Sequence, residues 1–210
     1  MKDYKKPDHW QMKARKEGFP ARSVYKLKEI DEKFNLIRNY VNLRILDIGA
    51  APGSWSLYAL RKIAGNGFLA AADLSPLSRE FDSHEKNRNL FDGANFFFIQ
   101  GDITACETRD ILLSKGSYNL IISDAAPGTT GNHMVDSARS LELVETVIGY
   151  AEAALAPGGS LVVKIFQGSG TDLLLKRMKG LFNTAKSFKP EACRGESVET
   201  YFIGLGLKRL

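Results

Sequence analysis

Cysteine and histidine are scarce in this sequence. Only two cysteines are present, Cys106 and Cys193, which belong to no Cys-x-x-Cys pair, and the three histidines are scattered at His9, His84 and His133. Disulfide frameworks and zinc sites need such residues in pairs or clusters. We therefore expect two unpaired thiols, no disulfide and no metal centre.

Long apolar runs are also absent. No stretch approaches the roughly 18 continuous apolar residues that a membrane helix needs. The N-terminus reads Met-Lys-Asp-Tyr-Lys-Lys-Pro-Asp-His and has no apolar core of the kind found in signal peptides. We expect a soluble, cytoplasmic protein with no membrane partner.

The dinucleotide fingerprint G-x-G-x-x-G is missing as well, although a glycine loop is present. Residues 45–55 read Ile-Leu-Asp-Ile-Gly-Ala-Ala-Pro-Gly-Ser-Trp, so the glycines are spaced Gly49-x-x-x-Gly53, with Pro52 between them. This spacing disfavours a nicotinamide-dependent enzyme.

The glycine loop nevertheless joins a predicted strand to a predicted helix. Residues 44–48 form an apolar run without alternation, typical of a parallel strand buried on both faces, and residues 55–63 have apolar side chains at helical spacing. Glycine lets a ligand approach the main chain, and the start of a helix offers free amides. The loop thus predicts a site for a nucleotide-like ligand, with a simple tight turn as the alternative.

The length and composition favour one α/β domain. The chain has 210 residues, of which 44% are hydrophobic, enough for one well-buried domain and few for two. We expect a basic extension and a first helix over residues 1–35, with the helix at 21–35, packed on a larger domain over residues 36–210.

Positive charge is concentrated near the N-terminus. The whole chain has a net charge of +5, whereas residues 1–28 alone hold nine Lys or Arg against three Asp or Glu, a net charge of +6. Aromatic residues alternate with these cations, at Tyr4, Trp10, Phe19 and Tyr25. Cations with aromatic rings suit phosphate contact and base stacking, and a solvated tail with a few packing anchors is the alternative.

Three predicted strands end near an acid. Residues 68–72 lead to Asp73, residues 95–100 to Asp102 and residues 118–123 to Asp124. Because the carboxyl ends of parallel strands meet at one crevice, Asp73 could accept both hydroxyls of a ribose and Asp102 an adenine amino group. Capping of the following helix is the alternative for both acids.

A lysine interrupts the fifth predicted strand. Residues 160–166 form a run fit for the centre of a sheet, except for Lys164. Burying an unpaired ammonium is costly, so Lys164 should face a cleft or a carboxylate. Asp124, at the end of a neighbouring strand, is a candidate partner.

The remaining segments complete an open sheet. We expect helices within residues 76–93 and over 135–155 and 172–182. Two short strands, at 184–188 and 199–207, should form a final hairpin whose last strand is antiparallel.

Five motifs are spread along the chain. They are, in order, Arg22-Ser-Val-Tyr-Lys-Leu, Asp47-Ile-Gly-Ala-Ala-Pro-Gly-Ser-Trp, Ser123-Asp-Ala-Ala-Pro, Lys164-Ile-Phe-Gln-Gly and Ser197-Val-Glu-Thr-Tyr. In content and order they resemble the FtsJ (also called RrmJ) ribose 2′-O-methyltransferases. The resemblance implies a Rossmann-like, S-adenosylmethionine-dependent methyltransferase fold over residues 36–210, with helices on both faces of a seven-stranded, mostly parallel sheet and an antiparallel last strand.

The resemblance also implies a catalytic set of lysine, aspartate, lysine and glutamate. The matching residues are Lys26, Asp124, Lys164 and Glu199. Glu196 competes for the last place, and the Glu-Thr-Tyr context before the final strand favours Glu199.

A binding site for S-adenosylmethionine is implied by the same resemblance. It points to Gly53 and Trp55 in the glycine loop, Asp73 for the ribose, Asp102 for the adenine and Asp124 near the methionine end.

The implied activity is 2′-O-methylation of the ribose of a uridine in large-subunit (23S) ribosomal RNA. The expected partner is ribosomal RNA or the large ribosomal subunit, and the expected state is a monomer. Two alternatives stay open, a 2′-O-methyltransferase of transfer RNA and a non-catalytic RNA-binding ribosome-assembly factor on the same fold.

Overall fold

The computed structural model of the chain describes residues 8–37, 42–195 and 197–208. Seven strands are formed: β1 (Leu43–Ile48), β2 (Gly67–Asp73), β3 (Phe96–Gln100), β4 (Tyr118–Ser123), β5 (Leu155–Phe166), β6 (Phe182–Phe188) and β7 (Glu199–Leu207). Six α-helices accompany them: α1 (His9–Lys16), α2 (Val24–Phe34), α3 (Ser54–Ile63), α4 (Cys106–Lys115), α5 (His133–Ala154) and α6 (Thr171–Leu181). None of the described helices is both long and apolar enough to cross a membrane.

The strands form one sheet in the order β3-β2-β1-β4-β5-β7-β6. Strands β1 to β5 pair in parallel, whereas β7 is antiparallel to both of its neighbours, β5 and β6. The predicted fold class, a mostly parallel seven-stranded sheet with an antiparallel last strand, is therefore confirmed.

The centre of the sheet is buried on both faces. Along β1, Leu43 and Ile45 pack into one apolar cluster, and Leu46 and Ile48 pack into another on the opposite face. Helices α1, α2 and α3 contribute to the first cluster, and α4, α5 and α6 to the second. This two-sided burial explains why the β1 sequence is apolar without alternation.

Helix α2 confirms the helix predicted from the apolar spacing of residues 21–35. Its residues Val24, Leu27 and Ile30 are buried in the first cluster. The helix ends at Asn35, which takes the left-handed conformation with φ of 53°, as residues after a helix commonly do.

Part of the basic N-terminal segment is also helical. Asp8 caps α1 by accepting a hydrogen bond from the amide of Gln11 at 2.8 Å. Ala14 is fully buried, and the Trp10 ring lies 4.9 Å from the ring of Tyr25. The segment from residue 8 onward is thus packed on the sheet; residues 1–7, which hold Lys2, Tyr4, Lys5 and Lys6 of the predicted basic segment, lie outside the described residues.

The prediction of a helix within residues 76–93 is wrong. Apart from turns, this segment has only a three-residue 3-10 helix, Glu85–Asn87. Polar anchors hold it instead, because the buried side chain of Asn87 donates to the carbonyls of Gly18 (2.8 Å) and Phe81 (2.9 Å) and accepts from Arg61 at 2.9 Å.

Helix α4 was not predicted from the sequence. Of its ten residues only Thr108 and Leu112 are buried, so it lacks a pronounced apolar stripe. Strand β5 also begins at Leu155, five residues before the predicted start, because it pairs with β4 across a register shift near Tyr118.

Candidate active site

The carboxyl ends of β4 and β5 bring an acid and a lysine together. Ser123, the last residue of β4, pairs with Val163 of β5, so Asp124 follows directly beside Lys164. Side chains alternate along a strand, and Lys164 shares its face with Val162, which packs into the cluster containing α2 and α3. Lys164 therefore points toward the helical layer that contains α2.

Lys164 and Asp124 form a buried ion pair. Lys164 Nζ lies 3.0 Å from Asp124 Oδ1, and the two side chains are only 10% and 15% exposed. Lys164 Nζ also donates to the main-chain carbonyl of Asp124. The two contacts compensate the cost of removing an ammonium from water, and they explain how a lysine fits inside an otherwise apolar strand.

Lys26 and Glu199 form a second, adjacent ion pair. Lys26 Nζ lies 2.7 Å from Glu199 Oε1, and both side chains are largely buried. Burial lowers the pKa of Lys26, but the carboxylates of Asp124 and Glu199 outweigh it and raise this pKa above its ordinary value. Lys26 is therefore an ammonium at neutral pH. Glu196, the alternative to Glu199, lies outside the described residues.

Tyr201 is a member of this cluster that sequence reasoning missed. It pairs with Lys164 across β5 and β7, and its hydroxyl donates to Asp124 Oδ1 at 2.6 Å. Burial, followed by the charges of Asp124 and Glu199, raises the pKa of Tyr201 well above its ordinary value, so the phenol stays protonated. The alternation that places Glu199 on the inner face of β7 also places Tyr201 there, and this signal could have identified it.

Trp55 lies in the core, beneath the active-site cluster. Its side chain is 2% exposed, and its ring lies 5.8 Å from that of Tyr201. The indole N–H donates to the carbonyl of Ser23, immediately before α2, at 2.8 Å. The indole thus fixes the start of the helix that carries Lys26, and only the main chain of Trp55 remains for a ligand.

The glycine loop between β1 and α3 passes close to β4. Gly49 has φ of 78°, and a Cβ atom on it would lie 2.5 Å from the Cβ of Ala125. Gly53, with φ of 110°, is the N-cap of α3. The amides of the first helical turn therefore face this loop without intrahelical partners.

Asp73, at the end of β2, anchors the glycine loop. Its Oδ2 accepts from the amide of Ala51 at 2.9 Å, and its Oδ1 accepts from the amide of Ser75 at 2.8 Å. The carboxylate is thereby fixed at the mouth of a crevice at the carboxyl edge of the sheet.

This crevice has a volume of about 140 Å³ and lies at the carboxyl ends of β1, β2, β3 and β4. It is lined by Gly49, Asp73, Leu74, Gly101, Asp102, Ile103, Ala125, Ala126 and Leu143. Asp102 Oδ1 accepts from the amide and the hydroxyl of Thr104, both at 2.8 Å, and these bonds lower the pKa of Asp102. The crevice therefore combines apolar side chains with two fixed carboxylates, the kinds of contact that a base and its ribose make.

A further carboxylate, Asp47, is buried below the glycine loop. It is fully buried and accepts from the hydroxyl of Ser56 at 2.6 Å, while its Oδ1 has no hydrogen-bond partner among the described residues. Burial raises the pKa of Asp47 to about 7, and the charges of Asp124 and Asp73 act in the same direction.

A larger cavity, of about 550 Å³, lies at the opposite edge of the sheet. Its lining is Phe34, Asn35, Leu36, Asn42, Leu43, Asn119, Pro157, Gly158, Gly159, Ser160 and Leu205. None of these side chains is an acid, base or strong nucleophile. The chemistry is therefore placed in the smaller crevice and the adjoining lysine cluster.

Comparison with known proteins agrees with this geometry. Residues 19–207 match the family model of the FtsJ-like methyltransferases. The chain belongs to this family. Over 205 residues it is 48% identical to "Ribosomal RNA large subunit methyltransferase E" of Treponema denticola, covering 98% of this chain and 97% of the relative. A protein of the same name from Oleidesulfovibrio alaskensis is 43% identical over 212 residues, covering 100% and 95%.

Solved structures support the fold of this FtsJ-like methyltransferase. A Plasmodium falciparum structure assigned as a ribosomal RNA methyltransferase superposes with a TM-score of 0.71 at 27% identity, covering 89% of this chain and 97% of that chain. Human methyltransferase-like protein 13, at 14% identity and a TM-score of 0.58 over 85% and 80% of the two chains, shares the fold alone. Family membership confirms the predicted methyltransferase class and S-adenosylmethionine as the methyl donor.

Proposed function

We propose that this chain methylates the ribose 2′-hydroxyl of a uridine in large-subunit ribosomal RNA. The names of its relatives support the RNA class. Methylation at the 2′-hydroxyl is supported by the buried pair of Lys164 and Asp124, which lies beside the crevice lined by Asp73 and Asp102. A ribose hydroxyl is a poor nucleophile at neutral pH, and a lysine is able to assist it.

The crevice residues would hold the cofactor. Asp73 would accept the ribose hydroxyls and Asp102 the adenine amino group, with Asp124 near the methionine end. Gly53 and the main-chain amide of Trp55, at the start of α3, would contact the methionine carboxylate, since a helix start favours anions. S-adenosylmethionine supplies a methyl group on a positively charged sulfur.

Lys164 would act on the attacking oxygen. Asp124 can occupy two of the three N–H bonds of the ammonium, through Oδ1 and the main-chain carbonyl, and the third is then available to the ribose hydroxyl. The lysine either stabilises the developing alkoxide as an ammonium or takes the proton as a neutral amine. In both cases the fixed side chain supplies alignment, which for ideal cases contributes about 7 to 11 kcal/mol.

Lys26, Glu199 and Tyr201 would position this machinery. The ammonium of Lys26 and the carboxylate of Glu199, paired at 2.7 Å, would hold the substrate hydroxyl and Lys164 in place, and the Tyr201 hydroxyl donates to Asp124. The two lysines and two acids together carry no net charge, so the cluster can be buried without counter-ions.

The RNA would approach over the basic N-terminal layer. Lys13 lies over the rings of Trp10 and Tyr25, at 5.4 Å and 4.8 Å from their centroids, and the described part of this segment also holds Arg15, Lys16 and Lys28. We propose that residues 1–35 act as this RNA-facing layer on a methyltransferase domain formed by residues 36–210.

Methyl transfer from radiolabelled S-adenosylmethionine tests the proposal. Large ribosomal subunits from cells without the enzyme, naked ribosomal RNA and transfer RNA transcripts serve as substrates. We expect label in ribosomal RNA at one nucleotide whose 3′ phosphodiester resists alkali, because a 2′-O-methyl group blocks hydrolysis there. Label on a base, or on transfer RNA alone, contradicts the proposal, and absence of cofactor binding in calorimetry would revive the non-catalytic alternative.

A further inference from the structure

A third cavity, of about 300 Å³, lies outside the candidate active site. It is formed between α2, α3, the turn after α1 and the short 3-10 helix that precedes β3. Its lining is Glu17, Phe19, Val24, Tyr25, Lys28, Tyr58, Arg61, Lys62 and Lys86. The volume is at the lower end of the range for ligand pockets. We call this cavity the basic pocket because Lys28, Arg61, Lys62 and Lys86 are among its lining residues.

Four cations and one carboxylate line the basic pocket. Arg61 is held in place, since its guanidinium donates to Asn87 at 2.9 Å and to the carbonyl of Glu17 at 3.0 Å. Lys62 is partly neutralised by the buried Asp31, whose Oδ2 lies 3.3 Å away. The pocket nevertheless has an excess of positive charge.

Lys28 and Lys86 supply the part of this charge that has no acidic partner among the described residues. Within the described ranges, neither lysine makes a salt bridge with an acid. Lys86 is exposed and Lys28 is half-buried. They come from elements far apart in sequence, yet both face the same cavity, so a single anion could contact both.

The floor of the pocket is aromatic. The Arg61 guanidinium lies 4.0 Å from the centroid of the Phe19 ring, and the hydroxyl of Tyr58 donates to Asp31 at 2.8 Å. The Tyr25 hydroxyl is buried without a partner of hydrogen-bond geometry among the described residues. Burial and the nearby carboxylate of Glu17 raise the pKa of Tyr25 above its ordinary value, so this phenol stays protonated beside Glu17.

We propose that the basic pocket binds a phosphate of the RNA substrate, at a nucleotide outside the methylated one. The inference rests on the proposed function and extends it. Helix α2 links the two places, because Lys26 points to Glu199 in the active site while Lys28 lines the basic pocket. A phosphodiester offers oxygens to two lysines, so one backbone phosphate can contact both Lys28 and Lys86.

The salt dependence of RNA binding tests this proposal. The double variant Lys28→Gln with Lys86→Gln removes two charges from the pocket. Its matched control is Lys176→Gln with Lys179→Gln, two exposed lysines of α6 on the opposite face of the sheet. Fluorescence anisotropy measures the Kd of each protein for a labelled large-subunit RNA fragment over a series of salt concentrations.

We expect RNA binding by the pocket variant to be about 3-fold to 10-fold weaker, as two exposed ion pairs imply. The slope of log Kd against log salt should fall by about 1, because one phosphate contact is lost. The control should match the unchanged protein in both quantities. S-adenosylmethionine affinity, measured by calorimetry, should be equal in all three proteins.

Two results overturn the proposal. One is equal RNA affinity and slope in the pocket variant and the unchanged protein, with methylation of the RNA intact. The other is an equal loss of RNA affinity in the control variant, because the loss would then come from the overall charge and not from the basic pocket. A protein that methylates no RNA at all refutes the proposed function instead, so the two failures are distinct.

Discussion

At the scale of single residues, Asp124 contacts both Lys164 and Tyr201 in the proposed active site. Its Oδ1 lies 3.0 Å from Lys164 Nζ and accepts from the hydroxyl of Tyr201 at 2.6 Å. A carboxylate fixed by two donors keeps its orientation, so Lys164 stays aimed at one place. Positional precision of this kind is what alignment of a nucleophile requires.

Lys164→Ala should lower the rate of methyl transfer by about 100-fold or more, in the range expected for removing an acid-base or oxyanion-stabilising group. Calorimetry should show S-adenosylmethionine binding retained, because the crevice does not include Lys164. Lys176→Ala, an exposed lysine on α6, is the matched control. A folded Lys164→Ala protein with a rate within a few-fold of normal would refute the role assigned to this lysine.

Asp47→Asn should stabilise the protein more at pH 8 than at pH 5. The pKa of Asp47 is about 7 in the folded protein and about 4 in an unfolded chain. Between these values the folded state binds more protons than the unfolded state, so stability falls as the pH rises through this window. Asparagine cannot ionise and removes that loss.

Denaturant unfolding at both pH values checks this expectation. Glu145→Gln, which neutralises an exposed carboxylate on α5, is the control for the removal of one negative charge. If Asp47→Asn changed the free energy of unfolding by the same amount at pH 5 and pH 8, Asp47 would not titrate between these pH values.

Some site residues could be predicted from the sequence and others could not. Lys164 was identifiable because it breaks an apolar strand, and Asp124 because it ends the neighbouring one. The side chain of Trp55 could not be placed, since a loop motif does not reveal that the indole turns inward to the carbonyl of Ser23. Its position depends on how α2 packs against α3, which is a tertiary contact.

At the scale of elements, the glycine loop is shaped by its close approach to β4. Gly49→Ala should destabilise the fold by about 1 to 3 kcal/mol from the backbone conformation alone, and the contact with Ala125 adds to this loss. Gly149→Ala is the control, since Gly149 lies within α5 and a Cβ there meets nothing within 4 Å. That change should stabilise by about 0.5 to 1 kcal/mol.

Thermal and urea unfolding of the two glycine variants measures these effects, and calorimetry measures their cofactor affinity. Gly49→Ala should also weaken S-adenosylmethionine binding, because Gly49 lines the crevice. If both variants change stability in the same direction, the argument from close approach fails.

Strands were more predictable than helices in this chain. The central parallel strands β1 and β4 are buried on both faces, so their apolar runs stand out, and the predicted strand at residues 118–123 matches β4. The segment at 76–93 is fixed by the amide of Asn87 and by Arg61, which are contacts distant in sequence. Helix α4 lies on the surface with little apolar periodicity, and no local signal marks it.

At the scale of the whole molecule, the two ends of the chain meet at the active site. Lys26 comes from α2 and Glu199 from β7, and their ion pair closes the cluster that β4 and β5 begin. Glu29 of α2 adds a second contact between these parts of the chain. Its carboxylate accepts hydrogen bonds from the amides of Glu191 at 2.6 Å and Ala192 at 2.9 Å. The N-terminal layer is therefore joined to the proposed catalytic cluster, and its contacts should matter for activity as well as for RNA binding.

The crevice joins β1, β2, β3 and β4, so a bound cofactor should stabilise the whole fold. S-adenosylmethionine at about 100 times its Kd adds about 2.7 kcal/mol, and for a chain of this size each kcal/mol raises the Tm by about 2 to 4 °C. We expect a rise of about 5 to 10 °C in differential scanning calorimetry. Asp73→Asn should remove most of this rise at the same cofactor concentration, because the proposed ribose contact is lost. Asp110→Asn, which removes an exposed charge from α4, should keep it, and a full rise with Asp73→Asn would exclude Asp73 as the ribose ligand.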